Sequence, residues 1–156
     1  MTLLELFDRV ANFQLTADNE GYFNISGKTY VVDFYPVGDT VDTMEVSFGL
    51  RKGVTQGVPD YAWGVEGSGD EIMVFSTVIA IIRKFMNKNP SLKNLVFSAK
   101  LSEPSRVKLY NRMARTVMPG WEVTLQQVKD DMFYTVTNPN VKAVQGAKFN
   151  PEDIPF

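Results

Sequence analysis

The sequence predicts an α/β (α+β) fold: a mixed, largely antiparallel sheet with helices on its faces. Apolar residues recur at helical spacing over two long stretches, 70 to 87 and 104 to 117. A short, almost wholly apolar run, Leu95-Val96-Phe97-Ser98-Ala99, lies between them and has the pattern of an interior strand. Period-two alternation fills much of the chain before and after this passage. Strand, helix, strand and helix set between antiparallel meanders make such a sheet.

A first helix is expected from Thr2 to Asn12, where Leu3, Leu6, Phe7 and Val10 share a face and Thr2 with Glu5 matches a capping box. Tyr22 to Ile25 and Thr29 to Tyr35 read as a hairpin about Ser26-Gly27, since glycine takes a positive φ without steric cost. From Thr43 to Leu50, Met44, Val46 and Phe48 alternate with Glu45 and Ser47. A fourth short run follows Pro59, from Tyr61 to Val65.

The longest helix is expected from Asp70 to Asn87. Ile72, Phe75, Ile79, Ile82 and Met86 form one stripe, and Val74, Val78, Ile81 and Phe85 a second. Two stripes predict a helix buried over most of its girth, or one that also meets a partner. Pro104 suits the first turn of the next helix. There Val107, Tyr110, Met113, Ala114 and Val117 share one face, and Lys108, Arg112 and Arg115 the other. A last hairpin joins Trp121 to Val128 with Met132 to Thr137. The chain reads as one domain over residues 1–138, followed by an extended tail, 139–156.

The 156 residues contain neither Cys nor His, which excludes disulfides, Cys/His zinc sites, cysteine nucleophiles and Ser-His-Asp chemistry. The most apolar run falls short of the roughly 20 residues that span a bilayer. No signal peptide is legible, so a soluble intracellular protein is expected. The formal net charge is only −2, but it is unevenly divided. Residues 1–82 hold 4 basic and 12 acidic side chains, residues 83–115 hold 9 and 1, and residues 116–156 hold 3 and 5. A basic block of this kind is either a solvated helix face or a surface for an anion or acidic partner. Nucleic acid is the weaker choice, because no aromatic stacking platform interleaves the basic residues.

Glu45, Glu66, Asp70 and Glu71 are candidate bases or hard-cation ligands, although single acids on alternating strands ordinarily form the wet face. Ser98 and Ser102 have no histidine to activate them. Gly67-Ser68-Gly69 lacks the Lys-Ser/Thr of a P-loop.

Trp63-Gly64-Val65, Gly67-Ser68-Gly69, the helix from Val74 to Phe85, the strand from Leu95 to Ala99, Leu109-Tyr110 and Gly120-Trp121 occur in that order. The order resembles the cofactor half of the GCN5-related N-acetyltransferase family: strand, phosphate-binding turn, helix, strand, a helix with a Leu-Tyr pair, then the final strands. It also resembles small tailed-phage proteins with a reduced form of that acetyltransferase-like fold. The resemblance implies that backbone N–H groups at Gly67, Ser68 and Gly69 would hold the pyrophosphate of acetyl-CoA. It also implies that Tyr110 would be the acid for the departing thiolate.

Here Asp70-Glu71 follows the glycine turn, and two carboxylates there repel a diphosphate. The expectation is therefore a phage-type accessory or virion protein on a degenerate acetyltransferase-like scaffold, non-catalytic and without a cofactor. It would act by protein binding or self-association through Lys108, Arg112 and Arg115 or through the tail from Val141 to Phe156, in the host cytoplasm or the virion. The alternative is an active N-acetyltransferase using acetyl-CoA.

Overall fold

A computed structural model describes residues 10–40, 42–55, 58–62 and 71–141. Its described elements are β1 (Phe13–Leu15), β2 (Glu20–Ile25), β3 (Lys28–Pro36), β4 (Thr43–Thr55), β5 (Val58–Ala62), α1 (Glu71–Lys88), β6 (Asn94–Lys100), α2 (Pro104–Thr116), β7 (Glu122–Val128) and β8 (Asp131–Thr137). The class is α+β, with mostly antiparallel strand pairing and two helices among the described residues. The chain falls into two compact units, one of residues 1–33 and 48–85, the other of 34–47 and 86–156. Strands β3 and β4 run through the boundaries between them.

In the first unit β1 pairs β2 and β2 pairs β3, both antiparallel. Ser26 and Gly27 both take positive φ, 51° and 78°. Two such residues make the tight turn whose twist matches the flanking strands. Phe23 and Tyr30 stack at 5.2 Å, and Tyr30 and Phe48 at 6.1 Å, in the unit's core. The far half of β4 pairs antiparallel with β5, with a register shift between Arg51 and Gly53.

Helix α1 carries the buried set Val74, Phe75, Val78, Ile79, Ile81 and Ile82 in this unit, as its two stripes predict, while Ile72 and Met73 at its start are exposed. Ser76 and Thr77 tolerate burial because each hydroxyl donates to the carbonyl four residues earlier, Ile72 and Met73, at 2.7 Å. The Thr77 hydroxyl also accepts the Ala11 N–H at 2.9 Å. Gly21 is required by contact: a Cβ there would stand 2.5 Å from Cγ2 of Ile81.

The second unit orders its strands β4-β6-β8-β7. β4 and β6 are parallel, from Thr43 opposite Asn94 to Val46 opposite Phe97, and the other pairs are antiparallel. Leu95, Val96 and Phe97 are fully buried, as an interior strand requires. Helix α2 packs its Tyr110 ring on Phe97 at 5.7 Å, and the Tyr134 hydroxyl of β8 donates to the Val107 carbonyl at 3.2 Å. Val96 belongs to a separate cluster with Val37 and Phe133.

The amino ends of the parallel strands are tied by polar side chains. Asn94 Nδ2 donates to Thr43 Oγ1 at 3.1 Å, and its Oδ1 accepts from Thr137 Oγ1 at 2.8 Å. Lys93 Nζ reaches the carbonyls of Asn138 and Val141, fixing the chain where it leaves β8.

Three expectations change. Residues 10–12 are not helical, and residues 2–9 of the expected first helix lie outside the described residues. β1 takes the place where no element was expected, because a three-residue strand has too little alternation to read. β4 continues to Thr55, and only Tyr61 and Ala62 of the expected fourth run fall in described β5.

Candidate functional site

A cleft of about 190 Å³ lies at the carboxyl end of the parallel strands in the second unit. The parallel register runs to Val46 and Phe97, and the cleft is lined by the residues around and beyond that point, Glu45 to Ser47 on β4 and Ser98 to Lys100 on β6. Glu103, Arg106 and Tyr110 of α2 and its approach close one side, with Asp131 at the start of β8. Successive strand residues point to opposite faces. Val46 and Ala99 line the cleft together with Glu45 and Ser98, so it opens at the strand ends and not on one face of the sheet. The carboxyl ends of parallel strands are where open α/β sheets hold ligands.

Inside the cleft the Ser98 hydroxyl donates to Oε1 of Glu45 at 3.1 Å. Glu45 stands opposite Val96 in the parallel register, which brings it beside Ser98, next on that face of β6. Burial disfavours the charged carboxylate and pushes Glu45 up to about 7 from its ordinary 4.5, while the Ser98 hydrogen bond pulls it down. A carboxyl poised near neutrality in a cleft is a functional-site signature when geometry supports it. It can hold a proton or take one at physiological pH.

Tyr110 is 2% exposed and contributes to the cleft wall from under the sheet. The Arg106 guanidinium carbon sits 6.0 Å from the centre of its ring, a cation–π arrangement. Arg106 Nε lies 3.6 Å from Glu103 Oε2, a half-exposed pair worth little by itself. Lys100 is registered opposite Asp131, and the Leu101 N–H donates to the Asp130 carbonyl at 2.8 Å. That bond ties the β6–α2 connection to the β7–β8 turn and fixes one rim of the cleft.

Of the residues the sequence singled out, Tyr110 lines the cleft, and Lys108, Arg112 and Arg115 lie exposed on α2 away from its lining. Arg115 Nε donates to Asn111 Oδ1 at 3.0 Å. Gly67, Ser68 and Gly69 lie outside the described residues, as do Glu66, Asp70 and residues 142–156 of the tail. Ser98, Arg106 and Asp131 were not identified as one site from sequence. Glu45 was legible as a possible base, but its partner 53 positions away was not.

Among the described residues no cluster of three or more Asp or Glu side chains is placed to hold a metal ion, and no helix is long and apolar enough to cross a membrane. No protein-family model and no curated protein matches this chain.

Proposed function

We propose that this protein is an acyltransferase that uses acetyl-CoA, with the Glu45 cleft as the place where an amine acceptor loses its proton. The observation that carries this reading is the half-buried Glu45 carboxyl, raised to about 7 and held by Ser98 in a cleft that Tyr110 also lines. The order of elements from α1 to β8 adds support, since it is the order in which the sequence resembles the acetyltransferase family.

Acetyl-CoA would supply an activated thioester carbonyl. Its diphosphate would meet Gly67, Ser68 and Gly69, which are outside the described residues, against the opposing charge of Asp70 and Glu71 that follow them in the sequence. The described cleft suits the other end of the molecule: it offers three carboxyls (Glu45, Glu103 and Asp131), three hydroxyl-bearing side chains (Ser47, Ser98 and Tyr110) and two cations, in a volume sized for a small acyl group and an amine. Glu45 as carboxylate takes a proton from the acceptor nitrogen. By the family resemblance, Tyr110 gives one to the departing sulfur.

Acetyl-CoA at millimolar concentration is expected to raise the melting temperature by ligand linkage and to release free thiol when a primary amine is added. A folded sample with no thermal shift and no thiol release would refute the proposal.

A second reading is favoured by α2. Lys108, Arg112 and Arg115 are exposed, while Met113, Ala114 and Val117 are buried. In that reading the protein is a phage-type accessory or virion component, in the host cytoplasm or the virion, and this basic face or the tail from Val141 to Phe156 binds a protein partner. Light scattering that shows a monodisperse monomer with unchanged partner binding after removal of the tail would count against the tail as that surface.

A further inference from the structure

We infer that Ser98 is a nucleophile, and that acyl transfer in the Glu45 cleft passes through an acyl ester on its Oγ. The inference rests on the reading of the cleft as an acyl-transfer site, but it assigns a route that the reading does not require.

The diagnostic arrangement for nucleophilic catalysis is a hydroxyl within hydrogen-bond reach of a base. Ser98 Oγ donates to Glu45 Oε1 at 3.1 Å, so the proton that must leave is already directed at its acceptor. Both residues line the same cleft, which gives an acyl donor access to the oxygen. The chain has no histidine, and Glu45 fills that role with a proton affinity near that of an imidazole.

The backbone fixes the pair. Glu45 is held opposite Val96 by the parallel register, and β6 is paired on its other side with β8, where Ser98 stands opposite Phe133. Ser98 thus sits one residue past the end of the parallel pairing with β4, on a strand still paired with β8 at that point, a more rigid mounting than a loop. Lys100 and Arg106 line the same cleft and supply positive charge for a carbonyl oxygen that becomes negative on attack.

The steps balance. The Ser98 Oγ–carbonyl carbon bond forms as the Oγ proton passes to Glu45. The bond from that carbon to the leaving sulfur or oxygen breaks, and the proton on Glu45 goes to the leaving group. The acceptor amine then attacks the seryl ester, Glu45 takes a proton from the nitrogen, and the same proton returns to Ser98 Oγ as the ester bond breaks.

The test uses the full chain with p-nitrophenyl acetate as donor, read by nitrophenolate release and by intact and peptide mass. The expected result is a burst of about one nitrophenolate per chain and a single acetyl group mapped to Ser98, removable by hydroxylamine as an ester is. Ser98→Ala should abolish the burst, and Glu45→Gln should slow it about a hundredfold, the lower range for a lost general base. Ser98→Cys should restore an adduct, now as a thioester, which separates loss of the nucleophile from loss of fold. An acetyl group on Lys100 alone, a burst at the unaltered rate in Ser98→Ala, or no adduct at all overturns the acyl-serine. If Ser98→Ala still moves acetyl from acetyl-CoA to an amine at full rate, the acyl-serine falls and direct transfer in the cleft stands. If the unaltered protein moves no acetyl group to either, both readings fall.

Discussion

The hydroxyl of Ser98 and the carboxyl of Glu45 are joined at 3.1 Å across parallel strands, although 53 residues separate them along the chain. The bond favours the ionised carboxylate, and burial opposes it more strongly. Ser98→Ala removes only the stabilising partner. The Glu45 carboxyl should then titrate higher than about 7, as followed by carboxyl-carbon NMR. An unmoved or lowered titration would show that the hydrogen bond has no hold on the charge.

Folding stability should carry the same signature. The carboxyl titrates near 4.5 in the unfolded chain and near 7 in the folded one, so between these values the folded state binds the extra proton. The contribution is fully present below the unfolded value and is lost as pH rises through the folded value. Glu45→Gln keeps a neutral side chain throughout. Its melting temperature relative to the unaltered protein should therefore rise between pH 5 and pH 8, measured at constant ionic strength. A difference independent of pH would contradict the raised value.

Asn94 bridges Thr43 and Thr137 and so spans three strands at the amino end of the parallel pair. Asn94→Ala leaves two hydroxyl groups without that partner. Thr43 Oγ1 keeps its donation to Asp42 Oδ1 and Thr137 is half-buried, so the loss is that of ordinary hydrogen bonds, about 1–3 kcal/mol for the two together at about 0.5–1.5 each. Urea unfolding should report a loss in that range with little change in slope.

Gly21→Ala places a methyl group 2.5 Å from Cγ2 of Ile81, in a packed interior. Overpacking of this kind costs about 1–3 kcal/mol. Ile81→Ala removes the clashing branch but leaves a cavity. The double variant should be more stable than the sum of the two losses implies, by roughly 0.5–3 kcal/mol, the range for residues in contact. Simple additivity would mean that the strand and helix do not press on one another at this point.

The sequence carries the elements that repeat over enough residues to define a period. α1 begins and ends within a residue of its expected bounds because its two stripes run for four turns. Pro104 marks the start of α2 by itself. β1, only Phe13 to Leu15, has no such length and is held by its antiparallel register with β2. The late part of β4 was obscured by Gly49 and Gly53, poor strand formers that a register shift accommodates.

The site was harder still. Alternation puts Glu45 on the polar face of its strand, but nothing local says that β4 and β6 run parallel or that Glu45 falls opposite Val96. That register, and the partial burial that goes with it, raises an ordinary carboxylate to about 7. Tyr110 shows the opposite pattern: its helical face is legible, and its place on the cleft wall follows from packing on Phe97.

Lys93 and Ser98 sit on the same run of chain, five positions apart, at opposite ends of the parallel pair. At about 3.3 Å per strand residue they are roughly 16 Å apart. The lysine clasps the carbonyls of Asn138 and Val141, so the chain leaving β8 is pinned at the end remote from Glu45 and Ser98. A reporter dye attached at position 141 should therefore sense the hold of Lys93 on residues 138–141 without disturbing the Glu45–Ser98 hydrogen bond at the other pole.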